Sequence, residues 1–103
     1  MATILTNSEI ADYARTLASS FRQGASIADT LESMSVSAAS RTLRDATARI
    51  KSGLMQGKQI NQTMSETGLF PDVVVKQVAQ GEQAGMLDFT FAEIAASYEQ
   101  TNT

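Results

Sequence analysis

The chain has 103 residues, a length at which a single compact domain is expected. It contains no cysteine and no histidine, which excludes disulfides, zinc sites built from these ligands, and Cys–His or Ser–His–Asp catalysis. Its net charge of −3 argues against general nucleic-acid binding. No apolar run approaches the roughly 20 residues that span a bilayer, and the N-terminus has no signal-peptide core, so we expect a soluble chain. Because these nucleophile–base sets are missing, we do not expect an enzyme.

The first helix is predicted from its N-terminal capping signals. Thr6 and Glu9 have the spacing of a capping box. Leu5 and Ile10 have the spacing of a hydrophobic staple. Apolar residues then recur on one helical face, and Gly24 is expected to end the helix.

The next two helices are separated by a predicted turn. Ser26 with Asp29 offers an N-cap for a short second helix, and Ser35–Ser37 is predicted to be the turn that follows. The third helix is the longest, and its apolar pattern continues through Gly53 to a stop at Gly57.

The last three helices are predicted from their end signals. A short fourth helix is expected to end at Gly68, and Pro71 suits the first position of the fifth. Gly85 is predicted to end the fifth helix in a left-handed conformation, and Asp88 to cap the sixth. The sixth helix is expected to run to Glu99, and a polar tail follows.

Two segments share a pattern that divides the chain into helical hairpins. Residues 21–31 and 54–64 both read apolar-x-Gln-Gly-x-x-Ile-x-x-Thr-apolar. Duplication and convergent turn chemistry explain this echo about equally well. With turns at Gly24, Gly57 and Gly85, the prediction is an all-α, six-helix antiparallel bundle built from three helical hairpins.

The segment 70–88, FPDVVVKQVAQGEQAGMLD, resembles the "FPxxVxxxxxxGExxGxL" signature of the type II secretion F family. Residues 13–27 are similar to its "FxxxLxxLLxxGxxL" opening, and residues 50–64 to its "IxxxLxxGxxLxxAL" middle. The close of the last helix, at 97–99, is similar to the family's "YYE". The match to the signature is made by Phe70, Pro71, Val74, Gly81, Glu82, Gly85 and Leu87. The chain departs from the family pattern at Tyr13, Ser19, Ser20, Gly53 and Thr63.

The resemblance implies a scaffold role at the bacterial inner membrane. Family members are platform proteins of type II secretion systems and type IV pili that couple a cytoplasmic assembly ATPase to extraction of pilins or pseudopilins. The resemblance implies one cytoplasmic domain over 1–103, with the bundle at 6–99 and a tail at 100–103 that leads toward a membrane span outside this chain. It implies the assembly ATPase and other assembly proteins as partners, and it is compatible with a homodimer.

Pilus and secretion roles both stay open, although the short N-terminal extension favours a pilus member. The alternative is a free-standing soluble helical adaptor.

Glu82 and Asp88 are the candidate metal-binding or partner-contacting carboxylates. Glu82 follows Gly81 and precedes Gly85 by three residues, so a partner contact or a metal ligand with Asp88 is one interpretation. The other is a structural carboxylate that holds the turn at 85–88 through backbone N–H groups. Two carboxylates do not specify a cation, since calcium takes six or more oxygens, and no cofactor is expected. Pro71, Gly81, Gly85 and Asp88, with Gly24 and Gly57, are predicted turn residues.

Basic and acidic residues are segregated along the chain. Residues 41–58 include five basic residues and one acid, and the chain after Lys58 includes six acids and one lysine. This segregation would steer a charged partner or anionic lipid, unless the two faces pair with each other or are solvated. The candidate partner-binding residues are Arg41, Arg44, Lys51 and Glu82. Four methionines are predicted to fill the core: Met34, Met55, Met64 and Met86.

Overall fold

The computed structural model describes residues 5–38 and 40–101, and along these residues the chain is helical with no strand. This confirms the predicted all-α class and the number of helices. The last two residues of the predicted tail lie outside the described part. The helices are α1 (Asn7–Arg22), α2 (Ile27–Ser37), α3 (Arg41–Met55), α4 (Ile60–Thr67), α5 (Asp72–Ala84) and α6 (Leu87–Thr101).

Most helix ends follow the sequence signals. The backbone N–H of Glu9 donates to Oγ1 of Thr6 at 3.1 Å, and the backbone N–H of Thr6 donates to the Glu9 carboxylate at 2.8 Å. Ser26 caps α2 by accepting from the N–H of Asp29. Pro71 is the N-cap of α5, one residue before the predicted position. The predicted stops have positive φ at Gly24, Gly57, Gly68 and Gly85.

Three predicted boundaries are wrong: the end of α2 and both ends of α6. Ser35 and Ser37 belong to the last turn of α2, because their hydroxyls donate to the carbonyls of Glu32 and Ser33 at 2.7 and 2.8 Å and stay satisfied inside the helix. Asp88 does not cap α6 but lies in its first turn.

The sixth helix therefore starts earlier and ends later than predicted. Its first turn is closed by the N–H of Thr90, which donates to the carbonyl of Met86. The helix continues past Glu99 to Thr101.

A single core receives apolar side chains from all six helices. Two ring contacts connect distant parts of it, Tyr13 with Phe70 at 5.6 Å and Phe21 with Phe91 at 6.1 Å between centroids. The largest side chains buried at its centre are Ile10, Leu17, Leu31, Ile50, Ile60, Met64, Val74, Val78, Phe91 and Ile94.

The prediction for the methionines is half right. Met34 and Met64 are buried, but Met55 and Met86 are exposed. Met55 is the last residue of α3, and Met86 lies in the turn between α5 and α6, so both are at helix ends.

The helices pack most extensively as α1 with α6 and α2 with α3. Both pairs are antiparallel. Between α1 and α6, Arg15 pairs with Glu99 while Phe21 contacts Phe91. Between α2 and α3, Glu32 pairs with Lys51 while Arg44 donates to Ala38 at the end of α2. In both pairs, residue numbers rise in one helix as they fall in the other. Helices α3–α4 and α5–α6 also pack together, whereas α1 and α2 touch least. The grouping into three hairpins is thus not confirmed, since the first helix closes mainly against the last.

Two glycines allow neighbouring helices to approach closely. A Cβ at Gly53 would lie 2.4 Å from Cγ2 of Thr63, and a Cβ at Gly81 would lie 2.0 Å from Oγ1 of Thr90. These contacts join α3 to α4 and α5 to α6. Gly53 inside the helix is confirmed, and the close approach explains it. Gly81 is not a turn residue as predicted, because it is buried within α5.

Candidate interaction site

Glu82 caps a helix that lies far from it in the sequence. Its carboxylate accepts from the backbone N–H of Ile60 at 2.7 Å, the backbone N–H of Asn61 at 3.2 Å and Nδ2 of Asn61 at 2.7 Å. Gln59, the N-cap of α4, makes no side-chain cap bond. The first N–H groups of a helix need an acceptor, and a carboxylate also suits the positive end of the helix dipole. Glu82 therefore fastens α5 to the start of α4.

The turn after α5 is held by backbone atoms and not by Glu82. The N–H of Met86 donates to the carbonyl of Gly81 at 2.8 Å, and the N–H of Gly85 donates to the carbonyl of Glu82 at 3.3 Å. This is the bonding pattern of a Schellman motif, and Gly85 supplies its left-handed residue with φ of 71°. The structural interpretation of Glu82 was right in kind, a carboxylate on backbone N–H groups, but wrong in location.

The geometry around Glu82 does not favour a cation. Both of its carboxylate oxygens accept from N–H donors, which repel a metal ion. Along the described residues no group of three or more potential metal ligands occurs. Metal binding by Glu82 with Asp88 thus stays a prediction without support from this arrangement.

The predicted basic residues are mostly engaged within the chain. Nη1 of Arg44 donates to the carbonyl of Ala38 at 2.9 Å, at the end of α2. Lys51 forms an ion pair with Glu32 of α2. Only Arg41 among the three is exposed with no hydrogen bond or ion pair to the described part of the chain.

The remaining basic residues of the segment, Arg49 of α3 and Lys58 of the turn after it, both contact Glu66 of α4. Nη2 of Arg49 donates to the carbonyl of Glu66 at 3.3 Å, and Nζ of Lys58 lies 3.2 Å from the Glu66 carboxylate. Along the described residues, only the pair of Lys58 with Glu66 joins the basic segment to the acidic one. The other contacts go to Glu32 of α2 or to backbone carbonyls. Arg41 is left as the predicted basic residue best placed to meet a partner.

The sequence reasoning missed an apolar surface on α5 and α6. Val73, Met86 and Phe89 are exposed there. Met86 and Phe89 also line a groove of about 220 Å³, together with Gln77, Gln80, Gly81, Ala84, Thr90 and Glu93. A signal for it was present, because Phe89 follows Leu87 by two residues and lies off the helical face of Leu87, Phe91 and Ile94.

None of the helices along 5–38 and 40–101 has the length and apolar character needed to cross a bilayer.

Comparison with known proteins identifies the family. The model of the family "Type II secretion system (T2SS), protein F" matches residues 13–102. The chain belongs to this family. The match covers the capping carboxylate Glu82, the close contact of Gly81 with Thr90 and the whole α5–α6 surface, so these features lie inside the family's domain.

Curated relatives include proteins named for type IV pilus assembly. The chain is 34% identical over 97 residues to the type IV pilus assembly protein PilC of Pseudomonas aeruginosa, covering 94% of this chain and 26% of that protein. It is 34% identical to the type IV pilus assembly protein TapC of Aeromonas hydrophila, over 94% of this chain and 24% of that protein. It is 26% identical to the type II secretion system protein F of Pseudomonas aeruginosa, over 93% of this chain and 24% of that protein. The chain therefore spans about a quarter of the length of these relatives.

Proposed function

We propose that this chain is the cytoplasmic domain of an inner-membrane platform protein for type IV pilus biogenesis or type II secretion, and that it docks the assembly ATPase and other components of the machinery. Family membership over residues 13–102 is the observation that carries this proposal. In this role the domain transmits force through rigid contacts on the cytoplasmic face of the membrane, while membrane spans outside this chain anchor the whole protein.

Similarity favours the pilus over the secretion system. Relatives named for type IV pilus assembly reach 34% identity, against 26% for the relative named as a type II secretion protein. The aligned length is nearly the same in each case, so the difference in identity is a like-for-like comparison. Pilus biogenesis is therefore the first system in which to test the function.

The structure supports a binding role through the way it uses its side chains. The apolar faces of the six helices pack into one core. The surface left to solvent carries charged and polar side chains and a few exposed apolar ones. A rigid bundle with such a surface suits a scaffold, because partner proteins are recognised by surface patches and not by a cavity that encloses a substrate.

Docking through the basic surface of α3 is tested best at Arg41. This residue is exposed and unpaired in the described part of the chain, so Arg41→Glu should leave folding nearly intact. Arg22 at the end of α1 is also an exposed arginine, on another helix, and Arg22→Glu is the control. Glu82→Lys is not a clean surface probe, because Glu82 caps α4.

The experiment is complementation of a deletion strain with the full-length gene. Wild type and Arg22→Glu should restore pili or secretion, whereas Arg41→Glu should fail to do so while accumulating to the same level in the membrane fraction. A pull-down of the assembly ATPase at increasing salt should show weaker binding by Arg41→Glu. Normal assembly in the deletion strain itself would refute the function, and full assembly with Arg41→Glu would refute only this docking surface.

A further inference from the structure

Two exposed apolar side chains, Met86 and Phe89, line the same groove between α5 and α6. Along the described residues five large apolar side chains are exposed, and three of them belong to α5, α6 or the turn between them. These are Val73, Met86 and Phe89, with exposed fractions of 56%, 47% and 53%. Single exposed apolar residues are ordinary on a protein surface, but a contiguous group is typical of an interaction site.

The groove beside Met86 and Phe89 is open along its floor. It lies between two packed helices, and Gly81 and Ala84 leave it open because they carry no side chain or only a methyl group. Gly81 also allows the two helices to approach closely at Thr90. Met86 and Phe89 supply apolar surface along the groove, and Gln77 and Gln80 supply polar groups. Grooves of this kind take the apolar face of an amphipathic helix.

The groove carries one charged side chain, Glu93, and the two helices that form it carry more unpaired acids than bases. Of the six acids that follow Lys58, three are engaged: Glu66 with Lys58, Glu82 with the start of α4, and Glu99 with Arg15. The other three are exposed and have no hydrogen bond or ion pair to the described residues: Asp72, Asp88 and Glu93. All three belong to α5 or α6, where Lys76 is the single basic residue. Glu93 is the only charged residue among those that line the groove.

We propose that the α5–α6 groove is the docking site for an amphipathic helix of a partner protein, one that carries Lys or Arg beside its apolar stripe. The apolar stripe covers Met86 and Phe89, and a basic side chain meets Glu93. This site is separate from the basic surface around Arg41, which would attract an acidic partner. The charge also argues against a second copy of this chain, since the negative α5–α6 faces of two copies repel each other.

Binding of two matched synthetic peptides tests the proposal directly. Each peptide is a helix of about 18 residues with leucines at i, i+4 and i+7, flanked by lysines in one peptide and by glutamates in the other. They are titrated into the isotope-labelled 103-residue chain, and backbone amide shifts are followed by NMR. The lysine peptide should saturate shifts confined to residues 77–93, and the glutamate peptide should bind at least about 10-fold more weakly.

Substitutions on the chain identify the contacts. Phe89→Ser should weaken binding of the lysine peptide about 10-fold or more, whereas Val36→Ser, at an apolar residue 74% exposed on α2, should not change it. Glu93→Gln should weaken binding severalfold and reduce its salt dependence, whereas Asp45→Asn on α3 should not.

Several results would overturn the proposal. Equal affinity for the two peptides, shifts that map elsewhere, or unchanged affinity in Phe89→Ser would each reject it. Self-association of the free chain that Phe89→Ser abolishes would also reject it, in favour of a second copy on this face. The measurements need no assembled machinery, so their failure is distinguishable from failure of the complementation test.

Discussion

The hydroxyl groups of Tyr13 and Thr47 lie 2.7 Å apart in the core, and they join α1 to α3. Both residues are buried, with exposed fractions of 5% and 0%. The Thr47 hydroxyl donates its only proton to the carbonyl of Leu43 at 2.7 Å, so the Tyr13 hydroxyl is the donor between the two side chains. This contact makes the protonated form of Tyr13 part of the folded state.

Tyr13→Phe should lower the free energy of unfolding by about 1 kcal/mol near neutral pH, because one buried hydrogen bond is lost while Thr47 keeps its bond to Leu43. Urea unfolding followed by circular dichroism measures the difference. A variant as stable as wild type would show that the hydroxyl pair contributes nothing net.

The contribution of Tyr13 should disappear at high pH. Burial raises the pKa of Tyr13 to about 12. Unfolded tyrosine loses its proton near pH 10, so between these values the unfolded state binds fewer protons and stability falls as pH rises. The free energy of unfolding of wild type minus that of Tyr13→Phe should be about 1.4 kcal/mol lower at about pH 11 than at about pH 8. A difference that is constant with pH would contradict the burial of this hydroxyl.

Glu82→Gln should destabilise the protein by about 1–3 kcal/mol, because the amide retains a single acceptor oxygen for the N–H groups of Ile60 and Asn61. Glu82→Lys should cost more, since it places a positive charge at a helix N-terminus. Glu93→Gln, at an exposed acid on α6, is the control and should have little effect. Hydrogen exchange at the amides of Ile60 and Asn61 should quicken in both Glu82 variants. Equal stability of Glu82→Gln and Glu93→Gln would refute the capping role.

Gly53→Ala should be destabilising by about 1–3 kcal/mol, although alanine is favoured over glycine by about 1 kcal/mol in an exposed helix. The added Cβ would lie 2.4 Å from Cγ2 of Thr63 but 3.4 Å from its Cβ. Thr63→Ser removes the clashing methyl group and keeps the hydroxyl, which donates to the carbonyl of Ile60 at 2.8 Å. Gly53→Ala should therefore be tolerated far better in a Thr63→Ser background. Purely additive effects in this double-mutant cycle would mean that the two residues are not in contact.

Gly85→Val should cost more than about 1 kcal/mol, because its φ of 71° is strained for a β-branched residue. A Cβ at this position meets nothing within 4 Å, so the cost arises from the backbone and not from a clash. Gly85→Asn should be milder, since asparagine adopts the left-handed region more readily. Thermal unfolding of the two variants measures the order, and a valine variant as stable as the asparagine one would exclude a left-handed cap.

Local signals in the sequence determined where the helices begin and end. The capping box of Thr6 with Glu9, the stop at Gly68 and the left-handed residue at Gly85 depend on atoms a few residues apart, and the structure has each of them. The same local patterns carried the six-helix assignment and the resemblance to the family. Where the prediction failed locally, at Ser35 and Asp88, either a hydroxyl bonded back to the helix or the helix began earlier than its expected cap.

Only the tertiary structure decided which residues act between helices. Glu82 reaches the N–H of Ile60 across 22 positions of the chain, and Gly81 is needed because Thr90 of the next helix lies against it. Tertiary packing likewise decided the pairing of α1 with α6 and the exposure of Phe89. Helical periodicity tells which residues share a face, but not which helix that face will meet or how closely. The packing of all six helices around one core sets those distances. As a result Glu82, a predicted site residue, is a structural cap, and Phe89 on the surface is a candidate contact.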